Sequence, residues 1–73
     1  TSGVWEEFQI AVMQHKVVIP IAYPGLVSEE IWKMLKNNIT LYPYLEKYID
    51  MLTAGQETDL ISRIVIQILD SVQ

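Results

Sequence analysis

Apolar residues recur along this chain with the rhythms of both helix and strand. Val4, Phe8, Ala11 and Val12 fall on one side of a helical wheel, with Trp5 and Met13 flanking, and predict a helix over 4–14. Ser2 is placed to cap it, and Gly3 makes the entering turn permissive. Lys16 to Ala22 (KVVIPIA) is short, β-branched and apolar without alternation. That pattern predicts a strand covered on both faces. Pro20 has no N–H to give a ladder and pulls the assignment towards an edge or a bulge. Tyr23-Pro24-Gly25 reads as a turn. A second helix runs from a Ser28 cap to Asn37, with Ile31, Met34 and Leu35 inward and Trp32 beside them. Ile39 to Tyr42 reads as a second short strand. Pro43 suits the first position of a third helix over 43–53, with the stripe Leu45, Tyr48, Ile49 and Leu52, and Gly55 stops it. Thr58 or Asp59 caps a last helix to about Val72, whose face of Ile61, Ile64, Val65, Ile68, Leu69 and Val72 has the cleanest periodicity in the chain.

These elements sum to an α/β fold: the C-terminal half of a Rossmann-like domain, with a βαβ unit of right-handed crossover and two C-terminal helices. Residues 1–73 are then one partial ligand-binding domain. Two strands cannot satisfy a sheet's backbone groups. The missing strands are expected from elsewhere in a longer parent chain or from another molecule. The competing architecture is a self-contained helical miniprotein with one buried extended segment.

Composition narrows the function classes. The 73 residues are 51% hydrophobic and only 19% charged, so the chain is built to fold and carries surplus apolar surface. Net charge is −4, and the five cations (Lys16, Lys33, Lys36, Lys47 and Arg63) are scattered. Nucleic-acid binding needs clustered cations and is disfavoured. No cysteine is present, which removes disulfides, thiolate metal sites and cysteine nucleophiles and fits a reducing, cytoplasmic setting. The longest apolar run, Val17 to Tyr23, is too short to span a bilayer, so no membrane partner is expected.

The candidate chemistry is concentrated near the start. The backbone N–H groups of Ser2-Gly3-Val4 open a helix, where unpaired donors can hold phosphate. Glu6 and Glu7 could then accept hydrogen bonds from ribose hydroxyls. The competing reading is an ordinary capped helix with two solvated carboxylates favoured by the helix dipole. Tyr23 and Gly25 follow a strand end, where a ring could stack on a base. A plain turn with a packed tyrosine is the alternative. His15 sits at a helix C-terminus and reads as a cap. With no second His or Cys, no metal site is expected. No catalytic residues are assigned, since Ser2, Ser28 and Ser62 sit in capping or helical contexts. Tyr42, Tyr44 and Tyr48 read as packing. The last helix, with Leu60, reads as core or interface, and a helical oligomerisation module is one functional reading of the chain.

Gly3-Val4-Trp5-Glu6-Glu7 has the spacing of the glycine-threonine-x-glutamate-glutamate segment of the lysine-decarboxylase-like, or LOG, proteins. The continuation Phe8-Gln9-Ile10-Ala11 and then Lys16-Val17-Val18-Ile19-Pro20-Ile21 resembles the SLOG branch, and the likeness extends over nearly all of the chain. SLOG domains are Rossmann-like sensors of nucleotide-derived signals, found beside effectors such as the sirtuin-type NADase of the Thoeris antiphage system. The resemblance implies a regulatory domain in bacterial antiphage defence. It would sense a cyclic ADP-ribose-type nucleotide, need no cofactor, be non-enzymatic by itself, and control an attached effector such as an NADase, in a homo-oligomer. Gly3 and Val4 would face phosphate, and Glu7, ahead of Glu6, would hold ribose. Val4 stands where the family has threonine, so a hydroxyl contact to phosphate is lost, and the family's Gly-rich loop is absent from the sequence. LOG proteins themselves imply an alternative: cleavage of the glycosidic bond of a nucleoside monophosphate.

Overall fold

The structure is a computed structural model that describes the backbone of residues 2–72 and the side chains of residues 3–72. Three α-helices carry it: α1 (Ser2–Met13), α2 (Val27–Asn37) and α3 (Thr58–Ser71). Between α2 and α3 lie three 3-10 turns, Ile39–Leu41, Pro43–Leu45 and Ile49–Met51. Among the described residues there is no strand. The expected α/β half-domain, with its βαβ unit, is therefore corrected to a small helical domain holding one extended segment.

The reasons are local. The 16–22 segment is extended, but its only backbone pairing is one parallel bridge, Ala22 with Thr53. Ala22 N–H donates to the Leu52 carbonyl at 2.9 Å, and Ala54 N–H donates to the Ala22 carbonyl at 3.0 Å. Pro20, which is buried, has no donor to lend to a ladder. A side chain takes the place of a neighbouring strand. The Tyr44 hydroxyl accepts from Val18 N–H at 3.2 Å and donates to the Val18 carbonyl at 2.9 Å.

The second expected strand, Ile39 to Tyr42, is also corrected. Leu41 N–H donates to the Asn38 carbonyl and Tyr42 N–H to the Ile39 carbonyl, each at 2.9 Å, which winds the segment into a 3-10 turn. Winding lets Ile39 and Tyr42 both pack against the core while Leu41 faces outward. The expected continuous helix over 43–53 is two 3-10 turns. Pro43 opens the first as expected, yet Glu46, Tyr48, Met51 and Leu52 all donate three residues back. The stripe survives that change of winding, since Leu45, Ile49 and Leu52 are all buried.

The core is Ile31 and Leu35 of α2, Leu45, Ile49 and Leu52 of the 3-10 region, and Ile64 and Ile68 of α3. It therefore lies between α2 and α3, and α1 packs on its flank through half-buried Trp5 and Phe8. Their rings meet edge-on at 6.0 Å. The expected inward face of α1 is shifted, because Val4 and Val12 are exposed and Trp5 turns in. Trp32 Nε1 donates to the Ile49 carbonyl at 2.7 Å and ties α2 to the last 3-10 turn. Lys36 reinforces the same joint, 5.0 Å above the Trp32 ring and 2.6 Å from the Asp50 carboxylate. Both charged groups are open to solvent, so the pair adds little.

The caps differ from expectation. The cap expected of Ser2 rests on a side chain outside the described residues. α2 starts one residue before Ser28, and the Ser28 hydroxyl instead accepts from Tyr23 N–H at 3.4 Å. Glu57, rather than Thr58 or Asp59, occupies the cap position of α3. His15 does close α1: it takes the left-handed conformation at φ +56°, donating its N–H to the Val12 carbonyl while Lys16 N–H reaches Ala11. That paired 5→2 and 6→1 pattern is a Schellman motif.

Candidate functional site

A groove of about 350 Å³ opens where α1 and the start of α2 flank the extended segment. Val4, Phe8 and Ala11 of α1 form one wall, Val17 to Ile21 the floor, and Ile31 of α2 the other wall. Two polar residues, Glu7 and Ser28, complete the lining. The size suits a small organic ligand, and pockets of this kind combine apolar walls with few polar groups. Helical spacing sets the α1 wall, because positions 4, 7, 8 and 11 share a face. The floor is held by Tyr44, whose clamp on Val18 fixes the segment from below.

Burial pushes the Tyr44 phenol above its ordinary value of 10.0. The hydrogen bond with the Val18 backbone works against that shift, and the neighbouring Tyr42 adds to it. The phenol therefore keeps its proton at neutral pH and acts as donor and acceptor at once. Sequence reading placed Tyr44 with Tyr42 and Tyr48 as packing and missed this role. The available signal was indirect: an apolar extended segment without a partner strand needs some group to take its backbone bonds.

The residues expected to bind ligand fall in two places. Val4 and Glu7 line the groove. Gly3 lies in the first turn of α1, exposed, with no other part of the chain within 4 Å of where a Cβ would stand. Ser2 opens that turn. Glu6 is exposed and does not line the groove. Both carboxylates lie beyond the first turn of α1, where the helix dipole has largely fallen off. Tyr23 and Gly25 are in the turn before α2, which Leu26 N–H closes onto the Tyr23 carbonyl at 3.1 Å. Gly25 has φ +79°, a value that favours glycine. Tyr23 borders a separate pocket of about 120 Å³ with Thr53, Gln56 and Thr58. Among the described residues, no three His, Cys, Asp or Glu side chains cluster to hold a metal ion. No helix among them is long and apolar enough to cross a membrane.

No Lys or Arg lines the groove. Its walls can hold a flat or apolar group, its carboxylate can accept from hydroxyls, and an anion would have to rely on backbone N–H groups.

Geometry thus defines a small helical domain with an apolar, carboxylate-edged groove. Residues 1–72 match STALD, the Sir2- and TIR-associating SLOG family, and the chain belongs to that family. The match spans nearly the whole length over which the SLOG resemblance was read. No curated protein and no solved structure shows significant similarity to it.

Proposed function

We propose that this chain is a non-catalytic sensor domain that binds a cyclic ADP-ribose-type nucleotide and controls an associated Sir2- or TIR-type effector. The reading places it in the cytoplasm, as part of bacterial antiphage defence. Family membership supports the regulatory role, since the family is named for its association with Sir2 and TIR. The observation that carries the site is the convergence of Val4, Glu7 and Ser28 on one apolar groove. Adenine would lie against Phe8 and the Val17–Ile21 floor, and Glu7 would accept from a ribose hydroxyl. Phosphate would be met by the N–H groups opening α1 at Gly3 and Val4. Ligand would control the effector by favouring the arrangement that it contacts better.

The test is calorimetric titration of cyclic ADP-ribose into the protein and into Glu7→Ala. A lost charge-assisted hydrogen bond should weaken binding by about 10- to 100-fold. Unchanged affinity in Glu7→Ala would remove the ribose assignment. Absence of any nucleotide binding by the unaltered protein would remove the sensor reading.

A further inference from the structure

Ile21 lines two openings: the groove of about 350 Å³ between α1 and α2, and the pocket of about 120 Å³ that Tyr23 borders. Hydrogen bonds hold the two in fixed relation. Ala22 N–H donates to the Leu52 carbonyl and Ala54 N–H to the Ala22 carbonyl, which pins the 52–54 backbone beside the end of the groove floor. Tyr23 N–H donates to the hydroxyl of Ser28, a residue of the groove lining. The turn at His15 folds the extended segment back along α1, since Val4, Ala11 and Val17 to Ile21 line one groove. Ile21 therefore lies at the end of the groove where α1 begins, beside the phosphate position at Gly3 and Val4.

The pocket differs from the groove in chemistry. Tyr23, Thr53, Gln56 and Thr58 of its lining carry hydroxyl or amide groups, each able to donate and to accept. Among the described residues, no charged residue lines it, and Glu57 and Asp59 flank Thr58 in sequence. That set favours neither an anion nor a metal ion. Neutral donors and acceptors around a small space suit a polyol, and the volume admits one sugar ring rather than a whole nucleoside.

We propose that this pocket holds the second ribose of the nucleotide seated in the groove, so that the ligand straddles Ile21. The ligand class is thereby narrowed to adenine nucleotides that carry a second ribose beyond the diphosphate. The proposal rests on the nucleotide reading of the groove, and it adds Gln56 and Thr58 as the residues that set a preference for two sugars over one.

Calorimetric titration of the full chain with cyclic ADP-ribose, and with ADP, which lacks the second ribose, tests it. The unaltered protein should bind cyclic ADP-ribose about tenfold or more tightly than ADP. Gln56 and Thr58 are exposed, so the double variant Gln56→Ala/Thr58→Val should keep the helical circular dichroism signal. That variant should lose most of the preference while its ADP affinity stays within about threefold of the original. Glu7→Ala, by contrast, should weaken both ligands. Equal affinity for the two ligands in the unaltered protein overturns the proposal. So does a preference that the double variant leaves in place, or a loss that ADP shares equally. In each of those cases, ADP binding that depends on Glu7 would leave the groove reading standing. Binding of neither ligand would remove the groove reading and this proposal with it.

Discussion

Tyr44 is the single residue on which the site's shape most depends. Its hydroxyl serves both backbone groups of Val18, and the hydroxyl sits 26 positions away in sequence. Tyr44→Phe leaves a part-buried N–H and carbonyl unpaired and should cost about 1–3 kcal/mol. Urea unfolding checks this, and a loss below the scatter of the measurement would show that water replaces the clamp. The pH dependence has a definite sign. The folded-state value is raised, so the contribution is fully present below 10.0 and is lost as pH rises through the folded value. Stability of the native protein should therefore fall more steeply above pH 10.0 than that of Tyr44→Phe. Parallel alkaline profiles would contradict the proton's role. This residue was legible as aromatic packing but not as a clamp, because nothing local to Pro43-Tyr44-Leu45 points to Val18.

Among the elements, the three helices were legible, and whether the two strand-like segments would form strands was not. The periodic stripes of α2 and α3 place Ile31, Leu35, Ile64 and Ile68 in the core because helical spacing alone brings them to one face. Lys16 to Ala22 and Ile39 to Tyr42 have strand-like composition, yet strand formation needs a partner backbone, and no window of sequence reports whether one is available. One segment is held by a tyrosine and one bridge, and the other is wound by packing of Ile39 and Tyr42. The end of α1 offers a test at this scale. His15 holds a left-handed conformation that costs a side-chain-bearing residue about 1–2 kcal/mol, part of which glycine returns as unfolded-state entropy. His15→Gly should stabilise the protein by roughly 0.5–1 kcal/mol and raise Tm by a few degrees. A fall in Tm would mean that the imidazole contributes more than the backbone conformation costs.

At the scale of the whole molecule, α2, α3 and the 3-10 region supply the core, and α1 with the extended segment supplies most of the groove lining. α1 touches the core only through Trp5 and Phe8, which leaves Glu7 exposed on one flank and Ile10 and Met13 exposed on another. Site residues that share the α1 periodicity, Val4 and Glu7, could be read from sequence as neighbours. Ser28 and Ile31 could not, because only packing of α2 beside the extended segment brings them to the same groove. Tyr23 and Gly25 were grouped with the site on the premise of a strand end. Without a strand, Tyr23 borders a different pocket, and Gly25 lines neither. The most direct test of the account is a titration of the isotope-labelled chain with cyclic ADP-ribose, followed by amide NMR shifts. The account predicts saturable shifts at Gly3, Val4, Glu7, Val17 to Ile19, Ile21 and Ser28. Shifts confined to Tyr23 and Thr53 to Thr58, or no saturable shift anywhere, would contradict it.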